Sequence, residues 1–119
     1  MDILVTNNPL VQEQFQSNYN VEYMETNLLG ILTRVRDLIH TGHRLLTHPL
    51  SGSVKPNETP YKSVLLTEAK EGTDTQSVTI IEECIIAAQK FPPKHIPEKY
   101  MHDMQTVDLS LIRTALNAS

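Results

Sequence analysis

"LTHPLSGSVKPNETPYKSVLLTE", Leu46–Glu68, breaks an apolar run into Thr, His, Ser, Gly, Lys, Asn and three prolines before a second apolar run begins. The flanking pieces "HRLLTH" (His43–His48) and "YKSVLLTE" (Tyr61–Glu68) read as strands, so the connection between them decides the direction of the second. That connection, "PLSGSVKPNETP", has no helical period. A parallel return needs a crossover along the whole sheet, usually a helix, whereas an antiparallel return needs only a loop at one end. Both directions stay open for this strand.

Outward from that segment the chain alternates strand and helix. "DILVTNN" carries Ile3, Leu4 and Val5, a short apolar run suited to a strand covered on both faces. Asn8 before Pro9 marks a helix start, because Asn can accept an orphan amide and Pro has none to lose. The helix "PLVQEQFQ" then sets Val11 and Phe15 on one side. "NVEYMET" alternates like a strand near the sheet edge, with Glu22 expected to face solvent. "NLLGILTRVRDLIHTGH" places Leu28, Leu32, Val35 and Ile39 on a helical stripe widened by Ile31 and Leu38, and Gly42 suits a left-handed cap. "DTQSVTIIEECIIAAQKF" puts Val78, Ile81, Ile85 and Ala88 on one face behind the caps Asp74 and Thr75. "TVDLSLIRTALNA" offers Leu109, Ile112 and Leu116.

Strands alternating with helices predict an α/β fold: a doubly wound, mostly parallel sheet of about four strands with helices on both faces. The expected organisation is one α/β domain over residues 1–119, with 92–119 a C-terminal helical extension that packs either on this core or on a partner. Val5, Leu32, Val35, Val78, Ile81 and Ile85 should share the core.

The 119 residues, 39% hydrophobic and 20% charged, are of globular rather than disordered composition. Neither a long uncharged apolar run nor a basic leader with a small-residue cleavage site is present, so a cytoplasmic protein without a membrane span is expected. Cys84 is the one cysteine, which excludes an internal disulfide and favours a buried, inert thiol. A net charge of -4 disfavours nucleic acid and anionic membranes as partners. The central segment runs against that balance, with Arg44, Lys55 and Lys62 against Glu58.

In a parallel sheet, ligands bind at the carboxyl ends of the strands. Thr6, Asn7, Asn8, Thr47, His48, Ser51, Gly52 and Ser53 would meet there, with Lys55 or Lys62 as the cation, which is the chemistry of a small-anion site. The same residues have plainer readings: Asn8 as an N-cap, Ser51 to Ser53 as turn formers, and the lysines as solvated surface. No GxGxxG or GxxxxGK[ST] fingerprint supports a nucleotide. His48 is the weak candidate for acid/base catalysis, since imidazole titrates near neutrality, but no nucleophile or paired base accompanies it. The histidine spacings fit no zinc pattern, and neither a metal nor a cofactor is expected. Non-enzymatic binding is therefore favoured, with a small enzyme of acyl- or phosphoryl-group chemistry using His48 as one alternative. A protein whose proline-fixed loop forms a subunit interface, as in a homodimer, is the other.

"LVTNNPLV", "LLTHPLSGSVKPNETPYKSVL" and "VDLSLIRTAL" together resemble the small GrdX-type proteins encoded beside glycine reductase genes in amino-acid-fermenting anaerobes. The similarity covers almost the whole chain and is most specific from Leu45 to Leu65. It implies an accessory or regulatory role in glycine fermentation, with a pathway protein as partner, and brings no catalytic residue or cofactor with it.

Overall fold

The computed structural model describes residues 1–50, 59–91 and 95–117. Its elements are β1 (Ile3–Thr6), α1 (Pro9–Phe15), β2 (Asn20–Tyr23), α2 (Leu28–His40), β3 (Ser63–Leu66), α3 (Thr75–Lys90) and α4 (Met101–Asn117), the last preceded by a 3-10 turn at Glu98–Tyr100.

The sheet has three strands in the order β2-β1-β3 and is mixed, which corrects the expectation of a doubly wound, mostly parallel sheet of about four strands. β1 and β2 are parallel, with Leu4 opposite Val21, while β1 and β3 are antiparallel, with Leu4 opposite Leu65. "HRLLTH" does not form a full strand. It makes one isolated antiparallel bridge, Leu45 to Leu66, bounded by the bonds Thr67 N to Arg44 O (2.8 Å) and Leu46 N to Leu65 O (2.8 Å). Beyond it, the Thr47 side chain replaces the next ladder bond, its Oγ1 accepting Leu65 N at 3.0 Å, and Pro49 has no amide with which to continue. Residues 44–47 thus run alongside β3 in the opposite sense. The chain leaves and re-enters at the same end of the sheet, so β3 is antiparallel to β1.

One face of the sheet carries Val5, Val64 and Leu66 against α2 and α3, together with Leu32, Val35, Ile81, Ile85 and partly buried Val78. The six residues expected in a shared core do pack there. The other face carries Leu4 and Leu65 against Val11 and Phe15 of α1 and Leu109, Ile112 and Leu116 of α4. Each fully buried Leu or Ile contributes on the order of 2 kcal/mol, so these stripes outweigh local propensity in fixing the helices.

The caps follow the sequence. Asn8, Asn27 and Asp74 accept Leu10 N, Gly30 N and Ser77 N at 3.1, 2.9 and 3.1 Å. Gly42, at φ +111°, ends α2, and His43 N closes the turn onto Leu38 O at 3.1 Å. Glu22 departs from its expected solvent-facing role: it is half-buried and takes a two-point pair from Arg34 at 2.6 and 2.8 Å. Cys84 is buried, and desolvation, with Glu83 nearby, pushes its thiol up to about 11. Among the described residues no helix is long and apolar enough to cross a membrane.

Candidate functional site

The carboxyl ends of β1 and β2 and the amino end of β3 meet at one edge, where a polar cluster interrupts the apolar packing. Thr6 and Ser63, directly opposite in the β1–β3 register, share a hydrogen bond of 2.7 Å. Ser63 Oγ then donates to Asp108 Oδ2 at 2.8 Å, and Asn8 Nδ2 donates to the same oxygen at 3.0 Å and to Gln105 O at 2.8 Å. Asp108 is 3% exposed. Burial pushes its carboxyl above the ordinary range, against the opposing pull of the bonds from Asn8 and Ser63 and of the charge on Lys62.

Asn7 holds the rim of this edge. Its Nδ2 donates to Thr26 O and Pro60 O, each at 2.7 Å, and its Oδ1 accepts Lys62 N at 2.8 Å. One side chain therefore ties the ends of β1 and β2 to the segment returning into β3. Tyr61 adds a link to α4, its hydroxyl accepting Gln105 Nε2 at 2.9 Å.

Lys62, Ser63 and Asp108 line a cavity of about 20 Å³ together with Thr47, His48 and Pro49, room for one water. Burial pushes the Lys62 ammonium below its ordinary range, while the Asp108 carboxylate pulls it back up. Ion pairs among the described residues join Met1 to Glu68 and Arg34 to Glu22, so Lys62 and Asp108 interact through space without contact. The His48 ring accepts Leu50 N at Nδ1, 3.1 Å, which shapes the turn after Pro49.

The family model for GrdX, described as GrdX-like protein, matches residues 3–117. The chain belongs to the GrdX family. Neither the curated proteins nor the solved structures contain a match.

In this GrdX chain the edge gathers Thr6, Asn7, Asn8, Thr47, His48 and Lys62 from three separated stretches of sequence. The side chains of Thr6, Asn7, Asn8 and Thr47 are spent on internal hydrogen bonds, while Lys62 and His48 line the cavity. Ser51, Gly52, Ser53 and Lys55 lie outside the described residues. Sequence reasoning missed Ser63 and Asp108. A signal existed for the second, since Asp108 stands four and eight residues before Ile112 and Leu116, a carboxylate on the buried stripe of its helix.

A larger hollow of about 670 Å³ lies at the opposite sheet end among Asp2, Glu68, Glu71 and Asp74 with Arg44. It is the poorer candidate for an anion despite its size. Four carboxylates face it against the single Arg44, and Asp74 is already committed to capping α3 through Ser77. Among the described residues no group of three or more His, Cys, Asp or Glu side chains is arranged to hold a metal ion.

Proposed function

We propose that this GrdX-family protein is an accessory or regulatory component of glycine fermentation that binds a small anionic metabolite at the β1–β3 edge. The observation that carries this reading is the convergence of Thr47, His48 and Lys62 on one cavity, inside a frame fixed by Asn7, Asn8 and Thr6. Lys62 supplies a partly desolvated positive charge, and with no hydrogen bond to its ammonium among the described residues it is available to an incoming anion. The association with glycine reductase rests on the family resemblance.

Thermal-shift measurements with acetate, phosphate, acetyl phosphate and glycine test this reading, since a ligand that binds only the native state raises its melting temperature. At least one should raise the midpoint of the wild type, and Lys62→Met should remove that rise. No shift with any of them rejects metabolite binding here.

A second reading, contact with a pathway protein, is favoured by the internal use of the Thr6, Asn7, Asn8 and Thr47 side chains, which leaves a rigid edge rather than an open polar pocket. Capture of a purified glycine reductase component, lost on substitution of His48 and Lys62, would support it.

A further inference from the structure

The helix α4 is held to the body differently from α2. α2 buries Leu28, Ile31, Leu32, Val35, Leu38 and Ile39, whereas the longer α4 buries Ile112, Leu116 and a carboxylate, Asp108. The first half of α4 is joined by polar bonds. Asp108 Oδ2 accepts Asn8 Nδ2 and Ser63 Oγ, Gln105 O accepts the same Asn8 Nδ2, and Gln105 Nε2 donates to the Tyr61 hydroxyl. Each such bond is exchanged for one with water when α4 leaves, so its net worth is small. Taking the Asp108 carboxylate out of water carries a cost that these bonds have to offset.

The body keeps its own frame without α4. Asn8 Oδ1 still accepts Leu10 N, Asn8 N still donates to Thr6 Oγ1, and Thr6 Oγ1 still meets Ser63 Oγ. Asn7 still ties Thr26 and Pro60 to the start of β3. The larger apolar cluster, under α2 and α3, lies on the other face of the sheet and loses nothing.

Going beyond the reading that this edge binds a metabolite, we propose that α4 is a detachable cover, which releases as a unit while the sheet, α1, α2 and α3 stay folded. Release uncovers Leu4, Val11 and Leu65, and it removes Leu111, Ile112 and Ala115 from the wall of the cavity beside Lys62. Exposure of that apolar patch opposes release, so the docked form predominates. Docked, α4 shuts the edge; released, it opens the Lys62 side of the cavity to solvent.

Native-state hydrogen exchange on the full chain tests this, read at the Leu109 and Ile112 amides of α4 and the Leu32 and Val35 amides of α2. The α4 amides should share one opening and be at least about tenfold less protected than those of α2. Val35→Ala should lower α2 protection by about tenfold and leave α4 protection unchanged, because the released state keeps α2 packed. Ile112→Ala should lower both, since it weakens the docked form from which both openings start. Equal protection in α2 and α4, or a loss in α4 that matches α2 in Val35→Ala, overturns the proposal, because α4 then leaves only when the whole chain unfolds. Weak protection confined to the last turn before Asn117 is end fraying and overturns it too. The wild-type comparison stands on its own if either variant folds poorly. No ligand enters the experiment, so its failure is distinct from a failure of metabolite binding.

Discussion

Asn8 Nδ2 lies 3.0 Å from Asp108 Oδ2, a hydrogen bond between residues a hundred positions apart that joins the first helix cap to the last helix. The same Asn8 side chain caps α1 through Leu10 N and donates to Gln105 O. Asn8→Ala removes all three bonds, leaves Asp108 and the Gln105 carbonyl short of donors, and should destabilise the fold by about 2–4 kcal/mol in urea denaturation. Asn8→Ser keeps a cap acceptor but cannot reach α4, so it should lie between the two.

Asp108 also predicts how stability depends on pH. Its folded-state pKa stands above the ordinary value of 3.8, so between those two values the folded chain binds more protons than the unfolded one. Stability from this group is fully present below 3.8 and is lost as pH rises through the folded value. Lys62 has the opposite slope. Its folded pKa lies below 10.5, so its contribution rises with pH from the folded value up to 10.5. Melting temperatures across pH should show both slopes in the wild type, the acid one missing in Asp108→Asn and the alkaline one missing in Lys62→Met.

The helices were legible because burial stripes and caps are local. Leu28, Leu32, Val35 and Ile39 declare α2, and Asn8, Asp74 and Gly42 mark helix ends with chemistry confined to one turn. Strand direction was not legible, because it depends on where Thr47 and Pro49 stop a ladder with a partner twenty residues away, Leu65 and Leu66. The edge as a meeting place of "TNN", "THP" and Lys62 could be read from strand ends, although residues 43–48 contribute one isolated bridge and not a full strand. Its centre could not, because Asp108 reaches it from α4, and an isolated carboxylate in a helical stripe gives no hint of the residues that will satisfy it.

Asn7 should matter more than its small side chain suggests. Asn7→Ala leaves Lys62 N, Pro60 O and Thr26 O without their side-chain partner at the rim, a loss expected to cost about 2–4 kcal/mol. Hydrogen exchange at the Lys62 amide should accelerate far more than exchange at the mid-strand Leu65 amide. Asn7→Asp keeps the acceptor for Lys62 N but sets carboxylate oxygen against two carbonyls. It should therefore protect the Lys62 amide while still lowering stability.

Gly42 and Gly72 separate two causes of glycine dependence. Both have left-handed backbone, φ +111° and +82°, where a side chain is strained whatever space surrounds it. A Cβ on Gly42 would also stand 3.3 Å from Lys70 Cβ and 3.4 Å from Gly72 N, whereas a Cβ on Gly72 would meet nothing within 4 Å. Gly72→Ala should cost about 1 kcal/mol from backbone strain alone. Gly42→Ala should cost more, about 2 kcal/mol or above, because the same strain is joined by crowding in the turn that closes α2 through His43 N and Leu38 O. Equal losses in denaturant titrations of the two variants would show that the contact with Lys70 relaxes freely and that strain accounts for both.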